Sequence, residues 1–221
     1  MDSLKFILFI SLLLRLLTFM PLAFGQTLIK IVDQNNAPLP DAVIEYTLEN
    51  SILNGTNVKR TYIIDQLNKS FVPHVLIVPE NSFVNFPNSD DIRHHVYSFS
   101  PAKTFELKLY AGKPKSPVLF EHAGVVVMGC NIHDSMVGYI YVSTKENTYL
   151  SDNNGSIILP HDLPLTTQLR VWHPNSKIGL SKHTLFSVDS LIKKNNEITL
   201  IISVNEPAPR STFESLAIHE H

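Results

Sequence analysis

A chain of 221 residues is long enough for one large domain or two small ones with real cores, and 44% hydrophobic with 17% charged residues suits a globular fold and argues against disorder. The formal net charge of −2, with no run of Lys or Arg, gives no basic footprint for phosphates, so nucleic acid is not expected as a partner. In chain order, residues 1–25 come first and read as an export signal. Lys5 precedes an apolar run from Phe6 to Phe24, and Ala23-Phe24-Gly25 puts small residues where a signal peptidase reads. An uncleaved anchor or a buried helix is the plainer alternative, but Arg15 inside the run counts against a membrane span. The expectation is an exported, periplasmic protein with no stable membrane span after signal cleavage.

Beyond the leader, short alternating apolar runs predict strands at 28–32 and 42–46, separated by a turn at 34–38. Residues 47–60 are polar, and Asn54-Gly55 marks a turn or linker. Further strands are predicted at 75–78, 82–86, 95–99, 118–120, 124–128 and 138–142. After a turn at 151–155 come 156–159, 168–172 and 197–204, with a weaker candidate at 187–191. The segment 205–221, ending His219-Glu220-His221, reads as a tail. No stretch past the leader sustains the 3.6-residue apolar period of a long helix, so the chain is predicted to be an all-β sandwich or barrel.

Chemistry concentrates in Gly124-Val-Val-Val-Met-Gly-Cys130-Asn-Ile-His133-Asp-Ser-Met136-Val-Gly138. Cys130 is the chain's one cysteine, and a lone thiol in an oxidising compartment has no partner for a disulfide. A metal ion would protect it; an inert buried thiol is the plain alternative. Thiolate, imidazole and thioether within seven residues suit copper, which must be held in two oxidation states, better than zinc, for which thioether is not a usual ligand. A trigonal site needs one more nitrogen. His94 and His95 open a strand upstream, and because neighbouring residues on a strand face opposite ways, one of the two can reach a common site. Alternation alone does not choose between them.

These motifs resemble the cupredoxins, the small blue copper proteins, and among them the amicyanin-like members with a short ligand loop. Gly124, Cys130, His133, Met136 and Gly138 fit their Cys-x-x-His-x-x-Met pattern. Val84, Phe86, Asn88, Asp90, His94 and Val96 fit their other hallmark, with His95 in the place usually held by Asn. The segments 71–75, 86–103 and 129–134 are similar, more closely still, to exported proteins associated with methylamine utilisation. The likeness spans about residues 60–145. Two departures stand out: Asp134 replaces a frequent proline, and Asn81 sits where a turn Gly is common. The resemblance implies a cupredoxin-like Greek-key β-sandwich over 59–145, holding one type 1 copper ion through His94, Cys130, His133 and Met136. It also implies that Asn88 ties the two ligand segments together by hydrogen bonds.

The flanks resemble a carboxypeptidase-regulatory-like (transthyretin-like) β-sandwich, through 28–46, with its turn from Asp33, in one half and 152–174 in the other. This implies that the copper unit is inserted into a second sandwich made of 26–58 and 146–204; a single elaborated cupredoxin is the alternative. The function implied is a one-electron carrier with a transient redox partner, a dehydrogenase or a c-type cytochrome. A copper-delivery protein or a structural envelope module on the same fold are the rivals. Asp90 and Asp91 read as solvated turn residues beside Arg93. His74, His122, His161 and His183 read as surface or structural, and Trp172-His173 as a core aromatic beside an edge histidine. No Ser-His-Asp set, phosphate-cradling Gly loop or zinc-hydrolase motif is visible, so an enzyme is not expected.

Overall fold

The computed structural model describes residues 26–48, 60–145, 147–160, 162–194 and 196–206. The leader, the Asn54-Gly55 turn, His161 and the end of the tail lie outside the described residues. The strands in chain order are β1 (Thr27–Val32), β2 (Val43–Tyr46), β3 (Thr61–Ile63), β4 (Asp65–Leu67), β5 (Ser70–Val72) and β6 (Val75–Pro79). Next come β7 (Ser82–Asn85), β8 (His94–Ser100), β9 (Lys103–Tyr110), β10 (Val118–Phe120), β11 (Gly124–Cys130) and β12 (His133–Ser143). The last six are β13 (Asn147–Leu150), β14 (Ser156–Leu159), β15 (Gln168–Trp172), β16 (Thr184–Ser187), β17 (Lys193–Lys194) and β18 (Glu197–Ile201). Among the described residues there is no α-helix, and no helix is long and apolar enough to cross a membrane. The all-β class expected from the sequence is the class observed.

Among the described residues, four of the five sheets stack through three apolar contacts, the fifth being the two-stranded β4-β5. Sheet I (β14-β1-β18-β17) and sheet II (β13-β2-β15-β16) enclose a core that includes Ile29, Ile31, Ile44, Leu169, Val171 and Leu200. Sheet III (β6-β12-β11-β8-β9) and sheet IV (β10-β7-β3) enclose another, with Val84, Phe86, Phe120, Val126, Met128 and Ile140. The outer faces of sheets II and III meet at Val43, Val75, Tyr141 and Trp172. Each fully buried large apolar side chain contributes about 1.5–3 kcal/mol, so each sandwich stands mainly on its own core and the contact between them is the weaker joint. Sheets I and II are built entirely from strands before residue 47 and after residue 146: β1 pairs with both β14 and β18, and β2 with β13 and β15.

Local chemistry explains the turns. Asp33 Oδ1 accepts from the backbone of Asn35 (2.7 Å) and Ala37 (2.8 Å), and Asp152 Oδ1 does the same for Asn154 (2.9 Å) and Ser156 (2.8 Å). Gly155 is required in the second turn: its φ is +68°, and a Cβ there would lie 2.4 Å from the Ile31 carbonyl oxygen. Asn81 takes the left-handed conformation, at φ +62°. One prediction needs correcting. Residues 187–191 are not a strand; β16 ends at Ser187, and Val188–Ser190 is a 3-10 turn closed by Ser190 Oγ donating to the Ser187 carbonyl at 2.7 Å.

Candidate metal centre

β8 and β11 lie side by side, with Cys130 opposite Val96 and Gly129 opposite Tyr97. His94 therefore starts its strand next to where Cys130 ends its own. β11 and β12 form a hairpin whose register jumps, from Gly129 opposite Val137 to Cys130 opposite His133. The residues between, Asp134 to Met136, bulge out of the ladder, and the bulge turns Met136 into the interior. Gly138 allows this packing, because a Cβ there would sit 2.8 Å from Phe71 Cβ.

The result is a convergence of soft and borderline donors. Cys130 Sγ lies 3.5 Å from His94 Nδ1 and 3.9 Å from His133 Nδ1, and the three atoms all lie within 4.8 Å of one another. His94 and Cys130 are buried and His133 is half-buried, its ring centroid 5.2 Å from that of His94. Met136 is buried in the same core as Cys130. The structure thus brings His94, Cys130 and His133 together. His95 points to the other face of sheet III, its Nε2 2.9 Å from Glu106 Oε1 but not aligned for a hydrogen bond.

Asp90 overturns its reading as a solvated turn residue. Its carboxylate is nearly enclosed, accepting from His94 Nε2 (2.7 Å), the backbone of Asn68 (2.6 Å) and the backbone of Lys69 (3.0 Å). An ionised carboxylate only accepts, so His94 carries its proton on Nε2 and presents the Nδ1 lone pair to Cys130. Burial alone would raise the pKa of Asp90, but the Lys69 amide, His94 and the Asn68 amide together hold it below the ordinary value. His133 is held below the ordinary imidazole value, first by burial and then by His94 and Lys69, with Asp90 opposing. His133 can therefore present a ring lone pair with little competition from protons.

Asn88 braces one arm of the site rather than joining two. Its Nδ2 donates to the carbonyls of Ile92 (2.8 Å) and Tyr110 (2.9 Å), and its Oδ1 accepts from the Asp90 backbone (3.1 Å). These bonds tie the His94 loop to the end of β9, not to the Cys130 hairpin as the resemblance implied. Beneath, Tyr110 donates to the Phe86 carbonyl at 2.6 Å, and Gln66 Nε2 reaches Tyr110 and the Pro87 carbonyl. Burial pushes the Tyr110 hydroxyl up to about 12, with the Gln66 hydrogen bond opposing, so it stays a proton donor. The sequence reading missed this support from β4, β5 and β9, because residues 65–70 look like polar loop and gave no signal.

The other predicted roles are mixed. His74 is exposed and pairs with Asp41 at 2.8 Å. Trp172 is fully buried as expected, but His173 is buried too and meets the Pro40 carbonyl at 3.1 Å, so it is no edge residue. His183 is engaged by Tyr141 and Arg170.

No protein-family model matches the chain, and no curated protein matches it. Among solved structures it is similar to the copper-containing nitrite reductase of Thermus scotoductus SA-01, at 24% identity over 38% of this chain and 22% of that one, with a TM-score of 0.35. It is similar to a purple cupredoxin from Nitrosopumilus maritimus at 24% identity, over 38% of this chain and 99% of that one, with a TM-score of 0.33. Amicyanin from Paracoccus versutus matches at 13% identity, over 38% and 81% of the two chains, with a TM-score of 0.33. The chain thus spans about a fifth of the nitrite reductase and well under half of its own length takes part in each likeness.

Proposed function

We propose that His94, Cys130, His133 and Met136 hold one type 1 copper ion and that the protein is a periplasmic one-electron carrier. The observation that carries this reading is the convergence of His94 Nδ1, Cys130 Sγ and His133 Nδ1 within 4.8 Å in a largely buried pocket. The donor set fits: one thiolate and two imidazoles, with a thioether buried in the same core. Bound copper supplies a one-electron couple between Cu(I) and Cu(II).

The chain's own residues do the rest. Cys130 keeps its thiol away from solvent oxidants in the core. Asp90 fixes the tautomer and orientation of His94, and Asn88 fixes the loop that carries both. Such bracing keeps the donors in place whatever the charge between them. His133, half-buried at the hairpin, offers the edge through which electrons enter or leave. A dehydrogenase or c-type cytochrome would dock there weakly, over less than about 1,200 Å² as transient redox partners do. The amicyanin-like motif, with its association with methylamine utilisation, belongs to the same proposal, as do export and signal cleavage.

We read 59–145 as a copper unit inserted into a second, carboxypeptidase-regulatory-like sandwich of 26–58 and 146–204, followed by a tail at 205–221. The strand pairings of β1 and β2 across the intervening segment support this. The test of function is stopped-flow mixing of the Cu(II)-loaded protein with a reduced c-type cytochrome, beside transfer of Cu(I) to a chelator. Fast second-order reduction with slow copper release supports a carrier. Slow reduction with ready copper release makes the protein a copper-delivery factor instead.

A further inference from the structure

We propose that His183 is a proton-operated latch between the two sandwiches. At the end of the molecule away from the donor cluster, a cleft of about 590 Å³ separates sheet III from sheet II, walled by the 100–102 turn, Gly124, Tyr141, Lys145, Arg170 and His183. A chain of polar contacts crosses it, from Glu45 through Arg170 and His183 to Tyr141. Arg170 Nε lies 3.0 Å from Glu45 Oε1, and Arg170 Nη2 lies 3.1 Å from His183 Nδ1. His183 Nε2 lies 2.6 Å from the Tyr141 hydroxyl. Glu45, on β2, is buried and also accepts from Ser143 Oγ at 3.1 Å.

The chemistry of the members allows one arrangement of protons. A guanidinium only donates, so His183 Nδ1 must accept. His183 Nε2–H then donates to the Tyr141 oxygen, with His183 neutral. A second proton on Nδ1 would face the Arg170 N–H at 3.1 Å, donor against donor and charge against charge. These contacts join β2, β15 and the loop before β16 of one sandwich to β12 of the other, so breaking them frees the weaker joint of the molecule.

The groups facing His183 are mostly hostile to its charge. Arg170 lies on β15, Lys145 lines the cleft beyond β12, and Lys182 is its neighbour in the chain. Glu45 opposes them but is already engaged by Arg170, and Tyr141 is held neutral by burial and by Glu45. The 100–102 turn, Ala123 and Gly124 bring no titratable group. Burial first and Arg170 second hold the pKa of His183 below the ordinary 6.5, with Glu45 opposing. The latch contribution is therefore whole above 6.5, the unfolded value, and is lost as pH falls from there toward the folded value.

Trp172, the chain's one tryptophan, reports on the latch. Its Nε1 donates to the Leu180 carbonyl at 2.8 Å, three residues before His183, and its ring packs at 5.7 Å from both Tyr139 and Tyr141. The test follows tryptophan emission and acrylamide quenching of the full chain as pH is lowered from neutral, with far-UV circular dichroism monitoring the strands. The expected result is a red shift and a rise in quenching with a midpoint below 6.5 while the strands persist, and no such titration in His183→Gln, whose amide can still accept from Arg170 and donate to Tyr141. Tyr141→Phe, which removes the His183 partner on β12, should raise quenching already at neutral pH. The same titration in His183→Gln as in the wild type, no titration in the wild type, or a Tyr141→Phe variant indistinguishable from wild type would each overturn the proposal.

Discussion

Replacing Asp90 by Ala removes the acceptor of three hydrogen bonds, and the structure says which of them matters. Asn68 and Lys69 belong to an exposed turn, and their amides can turn to water once the carboxylate is gone. His94 cannot: it is fully buried, and among the described residues its Nε2–H meets no acceptor other than Asp90. An unpaired buried donor costs about 1–3 kcal/mol, and that is the expected loss of stability in the copper-free protein, read from urea midpoints at constant slope. Loss of a partner that orients a metal-binding histidine typically weakens metal binding about 10–100-fold, and a competition titration with a copper chelator should show a drop in that range. Asp90→Asn is the graded control. Its amide oxygen can take the Oδ2 position and keep His94 and Lys69, while its NH2 faces the Asn68 amide and loses one bond; its effects should fall between wild type and Ala. If Asp90→Ala unfolds within about 0.5 kcal/mol of wild type and binds copper unchanged, the carboxylate is a surface turn residue after all and the reasoning fails.

Gly138→Ala should destabilise the protein by about 1–3 kcal/mol, because the added methyl must displace the Phe71 side chain from a tightly packed core; an unchanged urea midpoint would contradict the contact. The depressed pKa of Asp90 makes a prediction in acid. Its folded value lies below the unfolded 3.8, so its contribution is whole above 3.8 and disappears as pH falls through the folded value. Stability measured against pH should therefore fall less steeply below 3.8 in Asp90→Asn than in wild type.

The legible part of the centre was the part written contiguously. Cys130, His133 and Met136 sit on one hairpin, and their spacing announces a loop with three donors. The partner histidine was narrower to read, since strand alternation treats His94 and His95 alike; pairing of β8 beside β11 separates them, turning one to Cys130 and the other to Glu106. Asp90 and Asn88 were misjudged for a common reason. Their roles depend on carbonyls and amides supplied by residues 68, 69, 92 and 110, and backbone groups leave no mark in a sequence. β9 was passed over because an edge strand alternating charged with apolar residues, as in Lys103-Thr-Phe-Glu-Leu-Lys, reads as polar surface when half of it is polar surface. The turns at Asp33 and Asp152 were readable because the side chain that makes them is itself the signal.

The central claim is that a thiolate from Cys130 binds copper together with His94 and His133. The most direct test is the visible and electron spin resonance spectrum of the Cu(II)-loaded protein beside that of Cys130→Ala. The account predicts an intense thiolate-to-copper charge-transfer band in the wild type that is absent from the mutant. A weak spectrum typical of nitrogen and oxygen ligands, the same in both proteins, would contradict it.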